Sequence, residues 1–548
     1  MDISLTETLT AFLLAYTLWR AYAFVVNSPL SNIPGPPAES WWKGSYGQIF
    51  NKNGWAFHRE LRENYGSVSR IKGLFGNDHL YVWDPLALYN IFVKDQYIFE
   101  GRPANILTNR ITLGTSLLSS LGDEHRKQRK MLNPVFSSKH MRGMLPMLYP
   151  IAHQLREAIA NDIRNNEEHI DIMGWVSRSS LEYIGQGGLG YSFSSFDVSK
   201  KANSYSEALK MFVPLLFRLQ IVRQQIPWLV KIGSPKFRER VMDFIPFDSV
   251  RDIRRITKTM EESSRSILRG KREAIEKGDK ATLAQVGSGK DIMSVLLKAN
   301  ADTNLSDEDL LGHMSTFVLA AHDTTTSAVS RILHVLAANP DSQSKLREEV
   351  TAARKEHGDL DYDTLQALPY LDAVCRETLR VYSPVPLVDR VATQDIVLPL
   401  KWPIKAIDGK TEIKEIHVPK NTNLLISITA ANLCKSIWGD DAEVWKPERW
   451  LKPLPESVAD AHLPGVYSQI LWIIYYFRMT FIGGSRACIG FKFSEMEMKM
   501  VLSILLESFI FEPVSDVIWE FGLIHVPAAK GTKDGMPRLP MKVSLVKS

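Results

Sequence analysis

Residues 481–490 read Phe481-Ile482-Gly483-Gly484-Ser485-Arg486-Ala487-Cys488-Ile489-Gly490, and an apolar helical run starts at Phe491. A cysteine placed just ahead of a helix meets free N–H groups and a dipole that stabilise negative charge. A thiolate also needs a neighbouring cation or a metal to persist at neutral pH, and Arg486 stands close by in the chain. Glycines at 484 and 490 let backbone approach a flat group. The stretch therefore reads as a loop that presents Cys488 as a ligand. The chain has only three cysteines, Cys375, Cys434 and Cys488. They are spaced too widely for a zinc pattern or a disulfide framework, so a reducing compartment and at most one chemically active cysteine follow. The competing reading of any one of them is a small buried hydrophobe.

Working outward, the chain is rich in amphipathic helices with few strands. Alternation around Val68–Ile71, His79–Trp83 and Asn423–Ile428 marks the strands, and 277–290 and 454–465 read as loops. One helix stands out. Ser306-Asp307-Glu308-Asp309 makes a capping box, the helical pattern runs to about Ala338, and Asn339-Pro340 stops it. Roughly 30 residues at 1.5 Å each span about 45 Å, enough to cross a domain. Its middle, Thr316 to Thr326, is apolar apart from threonines and His322-Asp323. A carboxylate there is costly unless it has a partner or a task. Glu377-Thr378-Leu379-Arg380 is a helical i,i+3 ion pair, a pattern that is commonplace by itself. Downstream lie Trp438-Gly439-Asp440-Asp441-Ala442 and Pro447-Glu448-Arg449-Trp450. Upstream, Gly122-Asp123-Glu124-His125-Arg126-Lys127-Gln128-Arg129 reads either as a solvated basic face or as something more specific.

Taken in order, these stretches resemble the cytochrome P-450 superfamily. Residues 481–490 match its F-x-x-G-x-R-x-C-x-G haem loop at every fixed position. The resemblance implies heme b (iron protoporphyrin IX) with Cys488 as its thiolate ligand, which donates electron density that favours O–O cleavage. On the same footing Arg486 pairs with a propionate, Phe481 shelters the sulfur, and Gly484 and Gly490 let backbone and the next helix lie against the porphyrin. Ala320-Ala321-His322-Asp323-Thr324-Thr325 resembles the oxygen-activation motif, which assigns proton delivery to Asp323 and Thr324. Ala321 stands where glycine is commoner, so a smaller local kink is expected, and His322 occupies a variable position with no role. Glu377, Arg380 and Arg449 become a buried structural triad. His125 stands where tryptophan is commonest and, with Arg129 and Arg390, supplies the other propionate contacts.

The implied fold is mainly α with minor β, a single large haem domain over 46–548 behind a membrane anchor at 1–26 and a Pro-rich hinge at 27–45. The implied activity inserts one oxygen atom from O2 into a hydrophobic substrate, with electrons from NADPH through a cytochrome reductase and cytochrome b5 as a further candidate donor. A haem-thiolate isomerase or dehydratase and an inactive haem protein are the alternatives. Segments 105–121, 212–229, 317–320 and 383–388 are expected to line the substrate. Being apolar with few charges, they suggest a terpenoid, steroid or polyketide. Arg126, Lys127 and Lys130 are candidates for a basic docking face for an acidic electron donor.

Composition is compatible. Hydrophobic residues make up 45% and charged residues 23%, so a large core can be buried. A net charge of +5, spread along the chain, points away from nucleic acid. From Leu5 to Val26 the chain is apolar apart from Glu7, Arg20 and some Thr and Tyr. An uncleaved anchor, a cleaved signal and a buried helix compete there. Acidic Asp2 and Glu7 are the wrong flank for a signal, and the prolines at 34, 36 and 37 suit a spacer. Positive charge beyond the run would leave the body on the cytoplasmic side of the endoplasmic reticulum, in contact with membrane lipid. The sequence is similar to fungal microsomal members from the Pro34 hinge nearly to the end, with one break. The apolar stretch Gln469–Met479 is extra, and reads as an insertion beside the site or a retained intron.

Overall fold

Three of the alternating stretches pair with one another. In the computed structural model, which describes residues 15–16, 28–196, 204–243, 247–278, 289–299, 305–465, 479–514, 517–530 and 536–547, they belong to one sheet. Its strands are β1 (Val68–Lys72), β2 (Asp78–Val82), β3 (Phe99–Glu100), β4 (Leu387–Ala392) and β5 (Asn423–Ser427). The order is β1-β2-β5-β4-β3; β2 and β5 run parallel, His79 facing Asn423, and the other neighbours are antiparallel. The rest is mainly helical, as expected. The candidate anchor at 1–26, apart from residues 15–16, and the segment 466–478 lie outside the described residues. Among the described residues no helix is long and apolar enough to cross a membrane.

The helices that position the site are α1 (Pro103–Leu113), α2 (Gly122–Leu132), α3 (Ile172–Tyr183), α4 (Gln220–Arg223), α5 (Asp307–Ala337), α6 (Pro369–Val381) and α7 (Phe491–Ser508). The long helix α5 begins at the expected cap. The Ser306 hydroxyl accepts the Asp309 N–H at 3.1 Å while the Asp309 carboxylate accepts the Ser306 N–H at 3.3 Å. This satisfies orphan donors from both directions, worth about 1 kcal/mol per cap. Pro340 opens the next helix, so the stop after Ala338 is a corner between helices. Residues 310–318, 325–333 and 335–337 of α5 are buried, yet Ala320 is accessible and Leu319, Ala321, Asp323 and Thr324 are only half-buried. That window lies in the middle of an otherwise buried helix.

One expected loop differs. Within 454–465 a helical turn forms at Glu456–Ala461, with Val458 and Ala461 buried. An i,i+3 pair of small apolar residues suffices to tie it to the sheet, a signal too short to register as periodicity. Two apolar cores result, one among the helices and one around the sheet. The cysteine loop lies at their seam: Phe481 and Ile489 pack on the helical core, Met479 and Ile482 on the sheet core.

Candidate active site

The cysteine loop is shaped by its own backbone. Cys488 N–H donates to Phe481 O at 2.9 Å and Ile482 N–H to Met479 O at 2.8 Å, closing a tight hairpin. Ile482 takes φ 45°, a left-handed conformation rare for a branched residue and one that concentrates at functional sites. Gly484 has φ 70°, and a Cβ there would stand 1.8 Å from Phe92 O. Its glycine is thus required by the turn and by the close backbone of Phe92. Ser485 N–H donates to Gln96 Oε1 at 2.7 Å, and Arg486 pairs with Glu100 at 2.7 Å while donating to Ser120 O at 3.1 Å.

The residues present fit a haem. Cys488 is accessible as a residue although protein atoms crowd around its thiol, a combination that suits the wall of a recess. At Gly490, which caps α7, a Cβ would meet nothing nearer than Phe136 Cε1 at 3.9 Å, leaving a shallow cradle beside the sulfur. Burial pushes the Cys488 thiol up, against the Gly490 N–H and the Arg129 guanidinium, which favour the thiolate. The protein alone therefore holds a thiol, and a metal would be needed to complete its ionisation.

Around that recess cations outnumber anions. Burial, and then the charges of Arg486, Arg129 and Arg390, push His125 down to about 3, so it is neutral at physiological pH. Burial pushes Arg390 down to about 10, with Asp389 opposing. Arg390 donates to its neighbour's carbonyl, Asp389 O, at 2.7 Å and lies over the Phe92 ring at 5.0 Å. Arg129 donates to Ala487 O and to Asn133 Oδ1 at 3.1 Å. Among the described residues Glu100 is the one carboxylate hydrogen-bonded to these three arginines. Three guanidiniums against Glu100, with Asp389 acting on Arg390 as well, leave an excess of positive charge that suits a ligand with its own carboxylates. The structure thus brings His125, Arg129, Arg390 and Arg486 together. Glu100 and Gln96, which secure the loop, had no sequence signal because they bond to it from a distant segment.

The α5 window adjoins this loop, since Thr325 Oγ1 and Ser494 Oγ of α7 stand 3.2 Å apart. Thr324 Oγ1 donates to Ala320 O at 2.7 Å. Asp323 Oδ1 meets His322 Nδ1 at 2.7 Å, and His322 Nε2 meets Ser177 Oγ of α3 at 2.9 Å. His322 is buried and ties Asp323 to a neighbouring helix, so the residue given no role has one structurally. The helix stays continuous through Ala321.

Glu377, Arg380 and Arg449 converge below the loop. Arg380 binds Glu377 through two bonds of 2.9 and 2.7 Å and donates to Asn432 O at 2.8 Å and Ala442 O at 2.6 Å. Arg449 reaches Glu377 at 3.4 Å and Asp441 at 2.8 Å. Trp450 Nε1 donates to Glu377 at 2.9 Å. The loop hangs from the same helix: Thr480 Oγ1 donates to Leu379 O at 2.7 Å.

A helical fold with an accessible cysteine at a helix N-terminus, a ring of cations and a polar window in a long helix defines the class of haem-thiolate proteins. The profile of the family Cytochrome P450 matches residues 34–521, and the chain belongs to that family, whose members bind haem through a cysteine thiolate. Curated relatives agree. A cytochrome P450 monooxygenase of Postia placenta is 47% identical, with 95% of each chain covered. A ganoderic acid synthetase of Ganoderma lucidum is 42% identical over 94% of each chain. A cytochrome P450 monooxygenase of Hericium erinaceus is 36% identical over 99% of each. The chain is a cytochrome P450 monooxygenase.

Proposed function

We propose that this monooxygenase inserts one oxygen atom from O2 into a hydrophobic molecule of terpenoid, steroid or polyketide type, with electrons from NADPH through a cytochrome reductase. The observation that carries the reading is an accessible Cys488 just ahead of α7, the helix whose Ser494 meets Thr325 of α5, next in sequence to the Asp323–Thr324 pair. When bound, the haem supplies the oxygen chemistry. Cys488 would ligate it, Phe481 would shelter the sulfur, and Gly490 would leave room for the ring. Arg129, Arg390 and Arg486, with neutral His125 donating a hydrogen bond, would hold its propionates. Asp323 would pass protons toward the window, with its carboxylate held by His322, and the Thr324 hydroxyl would orient them. The haem domain spans 46–548 behind a hinge at 27–45, and residues 1–26 anchor it to the endoplasmic reticulum membrane with the domain in the cytoplasm. Arg126, Lys127 and Lys130, all exposed on α2, support docking of an acidic electron donor.

The test is the carbon monoxide difference spectrum of the reduced, purified protein, followed by NADPH-supported turnover with a reductase. A strongly red-shifted Soret band with product formation is expected. A band typical of a neutral thiol or of histidine would refute thiolate ligation. Unchanged turnover and salt dependence after charge reversal at Lys127 and Lys130 would refute the docking face.

A further inference from the structure

The segments expected to line the substrate are not uniformly apolar. At the junction of α1, α4 and β4, two arginines, Arg102 and Arg223, are almost fully buried. Arg223 donates to Asn105 Oδ1 and to Gln220 Oε1, each at 2.9 Å, with longer contacts of 3.4 Å to Thr108 Oγ1 and Leu216 O. Every one of these acceptors is neutral. Arg102 donates to Tyr46 Oη at 3.0 Å and to Gln224, and stands 3.6 Å from Asp389. Asp389 is itself bound by Asn105 Nδ2 at 2.6 Å. Among the described residues, then, two buried guanidiniums share a single carboxylate, and the neighbouring His79 is neutral, pushed down to about 3 by burial and by Arg102.

This junction neighbours the cation ring and the long helix α5. Asp389 and Arg390 are consecutive on β4, so their side chains leave opposite faces, one toward the junction and the other toward the cation ring. Helix α1 leads from the junction to α5: a Cβ on Gly114 would stand 3.4 Å from Gly312 Cα, and Thr316 Oγ1 donates to Ser116 Oγ at 2.8 Å. A buried guanidinium satisfied only by neutral acceptors keeps its charge at a desolvation cost that an anion would offset.

We infer that Arg223, with Arg102 beside it, receives the carboxylate of an otherwise apolar substrate, so that the enzyme acts on amphiphilic acids. This rests on the monooxygenase reading and narrows its substrate class. The test uses holoenzyme whose reduced carbon monoxide band is verified first, for the wild type and for Arg223→Gln and Arg223→Lys. Equilibrium dialysis then compares matched pairs: hexadecanoic acid with hexadecanol, and a diterpenoid resin acid with its alcohol. At least one acid should bind about tenfold or more tighter than its alcohol, as a charge-assisted bond allows. Arg223→Gln should abolish that preference while leaving the alcohol within about twofold, and Arg223→Lys should retain part of it. Equal binding of acid and alcohol by wild-type protein overturns the inference, as does a Gln variant that weakens both alike, which would make the junction a structural clasp. A missing carbon monoxide band in the wild type would instead strike the monooxygenase reading itself.

Discussion

Arg380 and Arg223 are both buried, and their surroundings differ in one respect. Around Arg380 and Arg449 stand Glu377 and Asp441, two carboxylates for two guanidiniums, with backbone carbonyls filling the remaining donors. Around Arg223 and Arg102, among the described residues, Asp389 is the one carboxylate. The cation ring at the cysteine loop resembles the second case, with three arginines against Glu100 and the Asp389 that also acts on Arg390. A balanced cluster can be complete within the chain, whereas an unbalanced one gains from an anionic guest. Counting buried charges thus separates scaffold from binding site where burial alone does not.

The largest effect should come from breaking the balanced cluster. Arg380→Ala leaves Glu377 buried without its bidentate partner, a loss of about 3–5 kcal/mol. Little folded, haem-loaded protein should be recovered, and a variant melting within a few degrees of wild type would show that the triad is dispensable. Smaller is Arg486→Ala, which removes one cation from an unbalanced ring. Haem retention, followed by transfer to apomyoglobin, should weaken by about 1.5–3 kcal/mol while far-UV circular dichroism is kept. Equal retention would remove Arg486 from the propionate set.

A third buried charge sharpens the comparison, because a carboxyl, unlike arginine, can shed its charge. Glu497 of α7 accepts from Ser180 Oγ at 2.7 Å, and burial pushes it up to about 8 from 4.5. The folded protein therefore holds a proton there that the unfolded chain releases above about 4.5. Its contribution to stability is complete below that value and is lost as pH rises through about 8. Glu497→Gln should flatten the decline in melting temperature on the alkaline side. A variant whose melting curve keeps the wild-type pH dependence would assign the decline to another group.

The smallest effect is expected from removing the extra segment. Its two flanks meet: a Cβ on Gly483 would stand 2.9 Å from the Pro464 carbonyl carbon, and Met479 is buried, its N–H donating to Asn432 at 3.0 Å. Among the described residues, then, the chain on either side has contacts of its own. Deleting 469–478 should leave the carbon monoxide band unshifted, and loss of the band would make the segment integral. Sequencing the transcript across 465–480 separates a genuine insertion from a retained intron.

How far the sequence is legible follows from where partners lie. The capping box at Ser306, the strands at 68, 79 and 423 and the residues of the cysteine loop are local patterns, and each recurs in the structure. Glu377 and Arg380 are equally local, yet their burial depends on Arg449 and Asp441 from another segment. Glu100 against Arg486, Ser177 against His322 and Asn105 against Arg223 join segments with no shared periodicity, so only the fold discloses them. Apolar composition around residues 212–229 concealed Arg223 for the same reason: an arginine in a mainly apolar run reads as surface until its surroundings are known.

The tether from Thr480 to Leu379 bears on how such a protein can change over generations. The sulfur loop and the balanced arginine cluster hang from one helix, so a substitution in either is felt by both, and drift there is penalised twice. The junction of α1, α4 and β4 adjoins the cation ring through the single step from Asp389 to Arg390. New substrate preferences can therefore arise on that side while the half that binds the cofactor stays as it is.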